Sequence, residues 1–421
     1  MTSPEPAAAE GPAVAPSPWR WWVCGLLLLA TTLNYMDRVA LNQTAARIRE
    51  AFSLSNEEYS RLESGFSIAF AFGTLFFGWL VDRVSVRWVY PAVVLGWSAA
   101  GFLTGFADTF WQLFACRLML GGFEAGNWPC GIRTVRQVMP PSERSLGNSL
   151  FQSGTAIGAV ITPLIVLQCL LWVGPDSPNA WQVPFRVIGA VGLVWMFAWI
   201  LTVPAELVAH PVASPTDRPV PFWNLLADRR YWVLVAVIIG VNSSWHTFRV
   251  WMPLFLQKQR GFTEEEMSYF TMAYYLVADV GSWTVGLATL GLAKRGMNLD
   301  RARILAFAGC TGLVLIAFAI PFLPRGYALS ATLLAFGFGA LGLFPTYFAL
   351  SQDLSAAHQG KVTGTLGFIN AIYLAGMFRV QGIVADETRS YEGLLAVSGL
   401  PAAAALLVLA LFWRKRSPHR E

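Results

Sequence analysis

The stretch Asn34-Tyr35-Met36-Asp37-Arg38 places an acid and a base inside a segment that otherwise has the composition of a membrane span. An apolar run that begins at Trp21 precedes it, and three more apolar residues follow it. A charged side chain at such depth costs at least about 2.5–3.5 kcal/mol and usually faces a polar cavity or a partner. The pattern indicates a substrate or proton site. The alternative is a charged pair that extends to the end of a short helix.

The composition of the chain is that of an integral membrane protein. Of its 421 residues, 55% are hydrophobic and only 13% are charged, and the mean hydropathy is +0.50. A soluble domain carries about 25% charged residues, so this chain is too apolar to be one. The formal charge of +5 is spread over loops and does not predict nucleic-acid binding. The five cysteines lack CxxC spacing and are interpreted as small buried residues.

Twelve apolar segments fill almost the whole chain when it is measured against the roughly 20 residues that a helical span needs. They are predicted at Arg20–Ala45, Tyr59–Val81, Trp88–Ala107, Phe110–Val138, Ser145–Val173, Gln182–Pro204, Arg230–Leu256, Met267–Ala293, Ala302–Pro324, Ala328–Leu350, Val362–Ala385 and Glu392–Trp413. We therefore predict an all-α integral membrane protein with about twelve transmembrane helices in two six-helix bundles.

The predicted domains follow from this spacing. Residues 1–19 form a disordered cytoplasmic tail, 20–204 the first six-helix bundle, 205–228 a cytoplasmic linker, 229–413 the second bundle and 414–421 a second tail. Well over half of the 30 lysines and arginines lie on the side that carries both termini. The positive-inside rule then places both termini in the cytoplasm. The expected location is the plasma (inner) membrane of the cell.

The fourth predicted span carries Arg117 and Glu124. Seven residues at about 100° each make nearly two full turns, so both side chains lie on one helix face about 10.5 Å apart along the axis. With Asp37 and Arg38, the first half offers two acids and two bases at membrane depth. Such groups pair or relay protons; burial favours the protonated form of a carboxylate, whereas a nearby arginine favours the ionised form. A purely structural ion-pair network is the alternative.

Other polar residues inside the spans are candidates for a cavity lining. In the fifth span, a Gly154-xxx-Gly158 pair predicts close helix packing, and Gln152 and Thr155 beside it are candidate cavity residues. In the second half, Arg249 is expected either to pair with Asp279 or to face a substrate anion. Asn370 is a further candidate, for a hydrogen bond in the cavity. His246 is a lone histidine, which is more typical of a hydrogen-bonded packing residue. Arg379 is expected to extend towards the membrane surface.

The loop that follows the second span holds Gly78, Asp82, Arg83 and Arg87 at its cytoplasmic end. An acid and two bases in so short a loop can form an ion-pair latch that stabilises one conformation. A solvated positive-inside loop is the alternative.

With these residues assembled, the chain resembles the major facilitator superfamily over essentially its whole length. The Gly78…Asp82-Arg83…Arg87 loop is similar to that superfamily's loop between spans two and three, with Ser85-Val86 where a glycine is usual. Two pieces, NYxDR at 34–38 and RxxxGxxEAGxxP at 117–129, make it similar to the anion:cation symporter family, in particular its bacterial hexuronate and galactonate-type branch. Further matches are Trp251-Met-Pro253 and Ala278-Asp279-Val-Gly281.

The resemblance implies a proton-coupled symporter for a small organic anion, which works by rocking of the two halves about a central site. It implies that Asp37 and Glu124 are the protonatable pair, that Arg38 meets the substrate carboxylate and that Arg117 tunes Glu124. Tyr35 and Asn370 match positions that help to form a sugar-acid site. Phe70 stands where the family often has tyrosine, so a hydroxyl donor is missing here.

Two other function classes are alternatives to this one. A proton-coupled exporter of drugs or organic cations would use the same fold, and it would be inhibited by lipophilic cations rather than by carboxylates. An intramembrane enzyme or a sensor has little support, because the sequence has no metal-ligand cluster, no Ser-His-Asp-like arrangement and no phosphate-binding glycine loop. We expect no metal or cofactor and no nucleic-acid partner. The expected partners are an organic anion, protons and the lipid bilayer around a monomer.

Overall fold

The computed structural model describes residues 19–81, 83–139, 144–174, 177–203, 208, 228–352, 354 and 359–413. In the first half, the helices are α1 (Trp19–Gln43), α2 (Ala45–Ala51), α3 (Asn56–Val81), α4 (Val86–Thr104), α5 (Phe110–Glu124), α6 (Asn127–Val138), α7 (Arg144–Val173) and α8 (Gln182–Thr202). In the second half they are α9 (Arg229–Arg260), α10 (Glu264–Lys294), α11 (Leu299–Leu315, continued by a 3₁₀ segment Ile316–Phe322), α12 (Tyr327–Gly342), α13 (Phe344–Gln352), α14 (Gln359–Thr388), α15 (Glu392–Val397) and α16 (Leu400–Phe412).

The prediction of an all-helical membrane protein is confirmed, since within these ranges every regular element is helical. Ten segments of the described chain are long and apolar enough to cross a membrane. Of the twelve predicted spans, the first and the fourth are not among those ten. Helix α1 has the length, at 25 residues, but its second half carries the polar side chains of the opening stretch. The predicted tail 1–19, linker 205–228 and tail 414–421 lie almost wholly outside the described residues.

The fourth predicted span is interrupted, which accounts for its absence from that set. It divides into α5 and α6 at a turn over Ala125 and Gly126. Pro129, in the first turn of α6, has no backbone N–H to donate to the carbonyl of Ala125, so one hydrogen bond that would join α5 to α6 is missing at this point. Glu124 is therefore the last residue of α5, directly before the break.

Large apolar side chains remain exposed around the outside of the helices. Trp172 is 78% exposed and Leu201 is 81% exposed. Exposed tryptophans also lie near the helix ends, among them Trp19 on α1, Trp88 on α4 and Trp111 on α5. Soluble monomers rarely expose apolar surface of this extent, whereas tryptophan is enriched at both interfaces of a bilayer. The outer surface thus suits contact with lipid.

Helix α7 packs closely against α1, as the glycine pair predicted. A Cβ added at Gly154 would lie 2.4 Å from the carbonyl oxygen of Leu28, and one added at Gly158 would lie 2.5 Å from that of Thr32. Neither distance leaves room for a side chain, so the two backbones touch at both points. This contact holds the second half of α1, with Asp37 and Arg38, at a fixed position in the first bundle.

The boundary between the halves is formed by two main helix pairs, α3 with α14 and α7 with α10. At one end of the molecule, which we call the sealed end, it is closed by polar contacts. The carboxylate of Asp386 on α14 accepts hydrogen bonds from the backbone N–H groups of Asn56 (2.8 Å) and Glu57 (2.7 Å) at the start of α3. A residue of the second half thus caps a helix of the first half.

Further ion pairs and hydrogen bonds join the halves at the sealed end. Arg379 pairs with Glu57 at 2.6 Å, and Arg47 pairs with Glu264. Arg49 donates to the hydroxyl of Tyr391, which in turn donates to Asn56. Burial raises the pKa of that tyrosine hydroxyl, which keeps it a hydrogen-bond donor at neutral pH. Arg379, which was expected to extend towards the membrane surface, has a side chain that is 39% exposed and pairs with Glu57 at the start of α3.

We expect Gly154→Ala to lower the stability of the protein, because the added methyl group would force α7 away from the backbone of α1. Overpacking of this kind costs about 1–3 kcal/mol. Gly25→Ala on α1 is the matched control, since a Cβ there meets nothing within 4 Å. Thermal unfolding of purified protein measures both. Equal midpoints for the two variants would contradict the close contact.

Candidate functional site

Arg38 and Glu124 form an ion pair in the core of the first half. The Nε–H of Arg38 donates to Oε2 of Glu124 at 2.6 Å. The side chain of Glu124 is fully buried, and that of Arg38 is 17% exposed. Glu124 is the last residue of α5, and its carboxylate reaches Arg38 on α1. The structure thus brings together two of the residues that the sequence identified, from segments 86 residues apart.

Asp37 and Arg117 lie beside this pair. Both are almost completely buried, and Asp37 interacts electrostatically with Glu124, Arg117 and Arg38. A Cβ added at Gly101 on α4 would lie 2.7 Å from Oδ1 of Asp37, so a larger residue there would displace the carboxylate. The four predicted charged groups of the first half therefore form one cluster.

Several polar atoms of this cluster have no hydrogen-bond partner in the described structure. They are Oδ1 of Asp37, Oε1 of Glu124, Nη2 of Arg38 and both Nε and Nη2 of Arg117. Buried polar groups are nearly always hydrogen-bonded, and each exception calls for an explanation. A purely structural ion-pair network would satisfy its members. Free donors and acceptors at this depth are instead typical of a site that receives protons or a polar ligand.

Aromatic rings form one wall beside Arg38. Its guanidinium lies 5.0 Å from the ring centre of Phe66 and 4.8 Å from that of Phe70, both on α3. These are cation–π distances. The missing hydroxyl at Phe70 is thus replaced by an apolar face that orients the arginine. Tyr35, one turn before Arg38 on α1, is half-buried and lies close to α7 at Gly158.

Arg249 pairs with a residue that the sequence analysis missed. Its Nη2 donates to Oε2 of Glu63 on α3 at 2.9 Å, and its Nη1 donates to Oδ1 of Asn42 on α1 at 2.9 Å. Asn42 also donates to Oε1 of Glu63 at 2.8 Å. The side chains of Arg249 and Glu63 are 5% and 4% exposed. This buried ion pair crosses the boundary between the halves.

Of the two expectations for Arg249, the pair with Asp279 is not what the structure shows. Asp279 accepts a hydrogen bond from the indole of Trp283, one turn along α10, at 3.2 Å. His246 is hydrogen-bonded, as is typical of a lone membrane histidine: its Nδ1 accepts from Nε of Arg249 at 3.1 Å. Nε, Nη1 and Nη2 of Arg249 therefore each donate a hydrogen bond to another side chain.

The sequence did contain a signal for Glu63. This residue lies four positions inside the predicted second span, yet it closely follows Glu57, Glu58 and Arg61. No role was predicted for Glu63 from the sequence. In the structure the same helix runs from Asn56, and Glu63 is buried almost two turns in. An acid at that depth is a candidate site residue on the same physical grounds as Asp37.

The remaining predicted cavity residues are less tightly bound. Gln152 is exposed, and Thr155 donates to its backbone carbonyl at 2.9 Å. Asn370 on α14 is half-buried, and its Oδ1 has no partner among the described residues. One turn further on, the hydroxyl of Tyr373 lies 2.8 Å from that of Ser243 on α9.

The predicted latch is only partly described. Asp82 lies outside the described residues. Arg87 donates to the carbonyl oxygen of Ile200 at the end of α8 at 2.8 Å, and the guanidinium of Arg83 lies 4.4 Å from the ring centre of Trp79. A Cβ added at Gly78 would meet nothing within 4 Å.

Comparison with known proteins gives consistent results. A model of the Major Facilitator Superfamily matches residues 27–378. The chain is 25% identical to the hexuronate transporter of Escherichia coli (strain K12), with 90% of each chain covered. It is 27% identical to the probable galactarate/D-glucarate transporter GudP of Bacillus subtilis (strain 168), over 95% of this chain and 93% of that one. In fold it is similar to a bacterial homologue of the human lysosomal transporter Spinster in an inward-facing, unoccupied conformation, with a TM-score of 0.73, 17% identity and 94% and 95% coverage.

We expect Arg38→Gln and Glu124→Gln each to destabilise the protein more than the double variant does. Removing one partner of a buried pair leaves an uncompensated charge and costs about 3–5 kcal/mol, whereas removing both costs less. A double-mutant cycle on unfolding midpoints measures the coupling. The exposed pair of Arg325 and Glu266 is the control and should show a coupling of about 1 kcal/mol or less. Additive losses at Arg38 and Glu124 would contradict the pairing.

Proposed function

This chain belongs to the Major Facilitator Superfamily, and from that premise we propose that it is a proton-coupled symporter of a small organic anion. Membership makes it a multi-pass membrane transporter and not an enzyme. The proposed cargo is a hexuronate, an aldonate or a similar carboxylate, and the proposed direction is into the cell across the plasma (inner) membrane. We propose that it acts as a monomer with both termini in the cytoplasm.

The observation that carries the proposal is the ion pair of Arg38 and Glu124. A guanidinium that holds a carboxylate of the protein has the shape and charge to hold a carboxylate of a substrate. A proton on Glu124 would remove its negative charge and release Arg38 to bind the substrate anion. Loss of that proton would restore the internal pair and expel the anion. Proton and substrate binding are coupled in this way because they change the same guanidinium contact.

Asp37 and Arg117 have supporting roles in this scheme. Asp37 is the second proposed proton site, since it is buried beside Glu124 and two like charges in one cavity resist simultaneous ionisation. Arg117 would tune the proton affinity of Glu124 through the electrostatic contact between them. Its two unpartnered nitrogens leave it able to bind the substrate anion as well.

The substrate class follows from the cations and from the relatives. Arg38 and Arg117 each keep guanidinium nitrogens without a hydrogen-bond partner among the described residues, which supports an anion rather than a cation as the substrate. One relative is named for a hexuronate, with one carboxylate, and another for galactarate and D-glucarate, with two. Tyr35, Gln152, Thr155 and Asn370 are the proposed hydrogen-bonding groups for substrate hydroxyls.

The conformation supports transport by alternating access. The positive-inside rule assigns the sealed end to the outer face of the membrane. Contacts that close this end, such as Asp386 on the start of α3, would then correspond to an inward-facing state. At the opposite end, Gly78, Asp82, Arg83 and Arg87 are the proposed latch, which would stabilise the state that is closed to the cytoplasm.

We expect proteoliposomes with this protein to accumulate D-galacturonate, D-galactonate or D-glucarate when the outside is more acidic than the inside. Collapse of the pH gradient with a proton carrier should remove accumulation and leave slow equilibration. A thermal-shift screen of the same anions selects the probe, because a ligand of the folded state raises the melting temperature. If collapse of the pH gradient leaves uptake of the selected anion unchanged, proton coupling is excluded.

We expect Asp37→Asn and Glu124→Gln to abolish accumulation while they preserve part of the exchange of internal for external anion. Exchange needs no net proton movement, whereas accumulation does. Asp108→Asn, the same change at an exposed acid, is the matched control and should transport normally. Full accumulation by both site variants would exclude these residues as the coupling pair.

A further inference from the structure

Glu63 and Arg249 form the most completely satisfied charged contact in the described core. Nη2, Nη1 and Nε of the arginine donate to Glu63, Asn42 and His246. The second oxygen of Glu63 accepts from Asn42. By contrast, Arg38 and Arg117 retain unpartnered nitrogens. Of these three arginines, Arg249 is therefore the one whose guanidinium donors are all taken up by groups of the protein. The place beside it where an anion would bind, its anion position, is occupied by the carboxylate of Glu63.

Arg249 is also next to the candidate site. It interacts electrostatically with Glu124, the partner of Arg38, and with Tyr35 and Tyr275. Its guanidinium thus lies between the cluster of the first half and the sealed end. A small anion bound at Arg38 would be close to Arg249, but the latter could not bind it while Glu63 holds its donors.

The pair must break when the sealed end opens. Glu63 is on α3 and Arg249 is on α9, which belong to opposite halves. The contacts of Asp386 with the start of α3 and of Arg379 with Glu57 join the same halves on the same side. Separation of the halves there would leave Arg249 without its carboxylate. An uncompensated buried charge is costly, so an incoming anion would be favoured at that position.

We propose that Glu63 is a resident competitor of the substrate, which occupies the anion position of Arg249 in the empty transporter and gives way to a substrate carboxylate during transport. This inference rests on the proposed function, because it assumes an organic-anion substrate at the central site. It adds Glu63 as a specificity-determining residue and Arg249 as a position that is available in only part of the cycle.

The balance of buried charge supports this role. Three cations, Arg38, Arg117 and Arg249, are matched by three acids, Asp37, Glu63 and Glu124. The empty site is then neutral when all three acids are ionised. A second carboxylate on a substrate would need a second arginine released from its acid. The contact of Glu63 with Arg249 would therefore decide how well a dicarboxylate is held relative to a monocarboxylate.

The test is the affinity of Glu63→Gln for the three probes D-galacturonate, D-galactonate and D-glucarate. Glutamine keeps the shape of the side chain but not the charge that competes for Arg249. Isothermal titration of the purified full chain at constant pH should show a dissociation constant lower by about fivefold or more, with the larger gain for D-glucarate. Glu63→Asp keeps the charge on a shorter side chain. It should tighten binding by a smaller factor, and it serves as the test should the glutamine variant fail to fold.

Two controls separate competition from a change in conformation. Glu57→Gln and Asp386→Asn weaken other contacts between the halves at the sealed end but do not touch Arg249, so the affinity should change little. The double variant Glu63→Gln/Arg249→Gln removes the contested guanidinium and should lose the gain in affinity.

The outcomes are distinguishable. If wild-type protein binds none of the three probes, the proposed function is overturned and this inference with it. If the wild type binds but Glu63→Gln and Glu63→Asp do not bind more tightly, only the inference is overturned, and Glu63 is a structural contact between the halves. A gain that persists without Arg249, or that Glu57→Gln and Asp386→Asn reproduce, would also overturn it.

Discussion

Two buried ion pairs organise this protein: Arg38 with Glu124 inside the first half, and Arg249 with Glu63 between the halves. Removal of either partner would leave a buried charge without its counter-charge, at a cost of several kcal/mol. Each ion pair therefore constrains the relative position of the two helices that carry its members. The first constraint acts on α1 and α5 within one bundle. The second acts across the boundary and holds only while that boundary is closed at the sealed end.

The surrounding structure makes these pairs possible. The glycines of α7 let its backbone touch that of α1, which fixes the position of Asp37 and Arg38. Helix α5 ends at Glu124, whose carboxylate faces Arg38 on α1. The rings of Phe66 and Phe70 orient the guanidinium of Arg38. The proposed site for protons and an organic anion is thus built on close helix packing.

Much of this arrangement could be predicted from residue types and spacing. Asp37, Arg38, Arg117 and Glu124 were identified because charge is rare inside an apolar span, and Gly154 and Gly158 predicted close helix packing without indicating that α1 is the partner. The partner of Arg249 could not be identified in this way. Glu63 and Asp279 are both acids at membrane depth, and the choice between them depends on how α3, α9 and α10 are rotated. The division of the fourth span into α5 and α6 was also not predicted, because the apolar composition of this segment indicates one continuous helix.

The sequence by itself determined that the chain is a helical membrane protein, where its spans lie, and that acids and arginines occur at membrane depth. These properties follow from composition and periodicity, which are local. Only the tertiary structure decided which arginine meets which acid, which nitrogens remain free, and which contacts join the halves. The physical reason is that a helix presents its side chains all around its axis. The face that becomes buried is selected by the neighbouring helices, whose positions depend on close contacts between residues far apart in the chain.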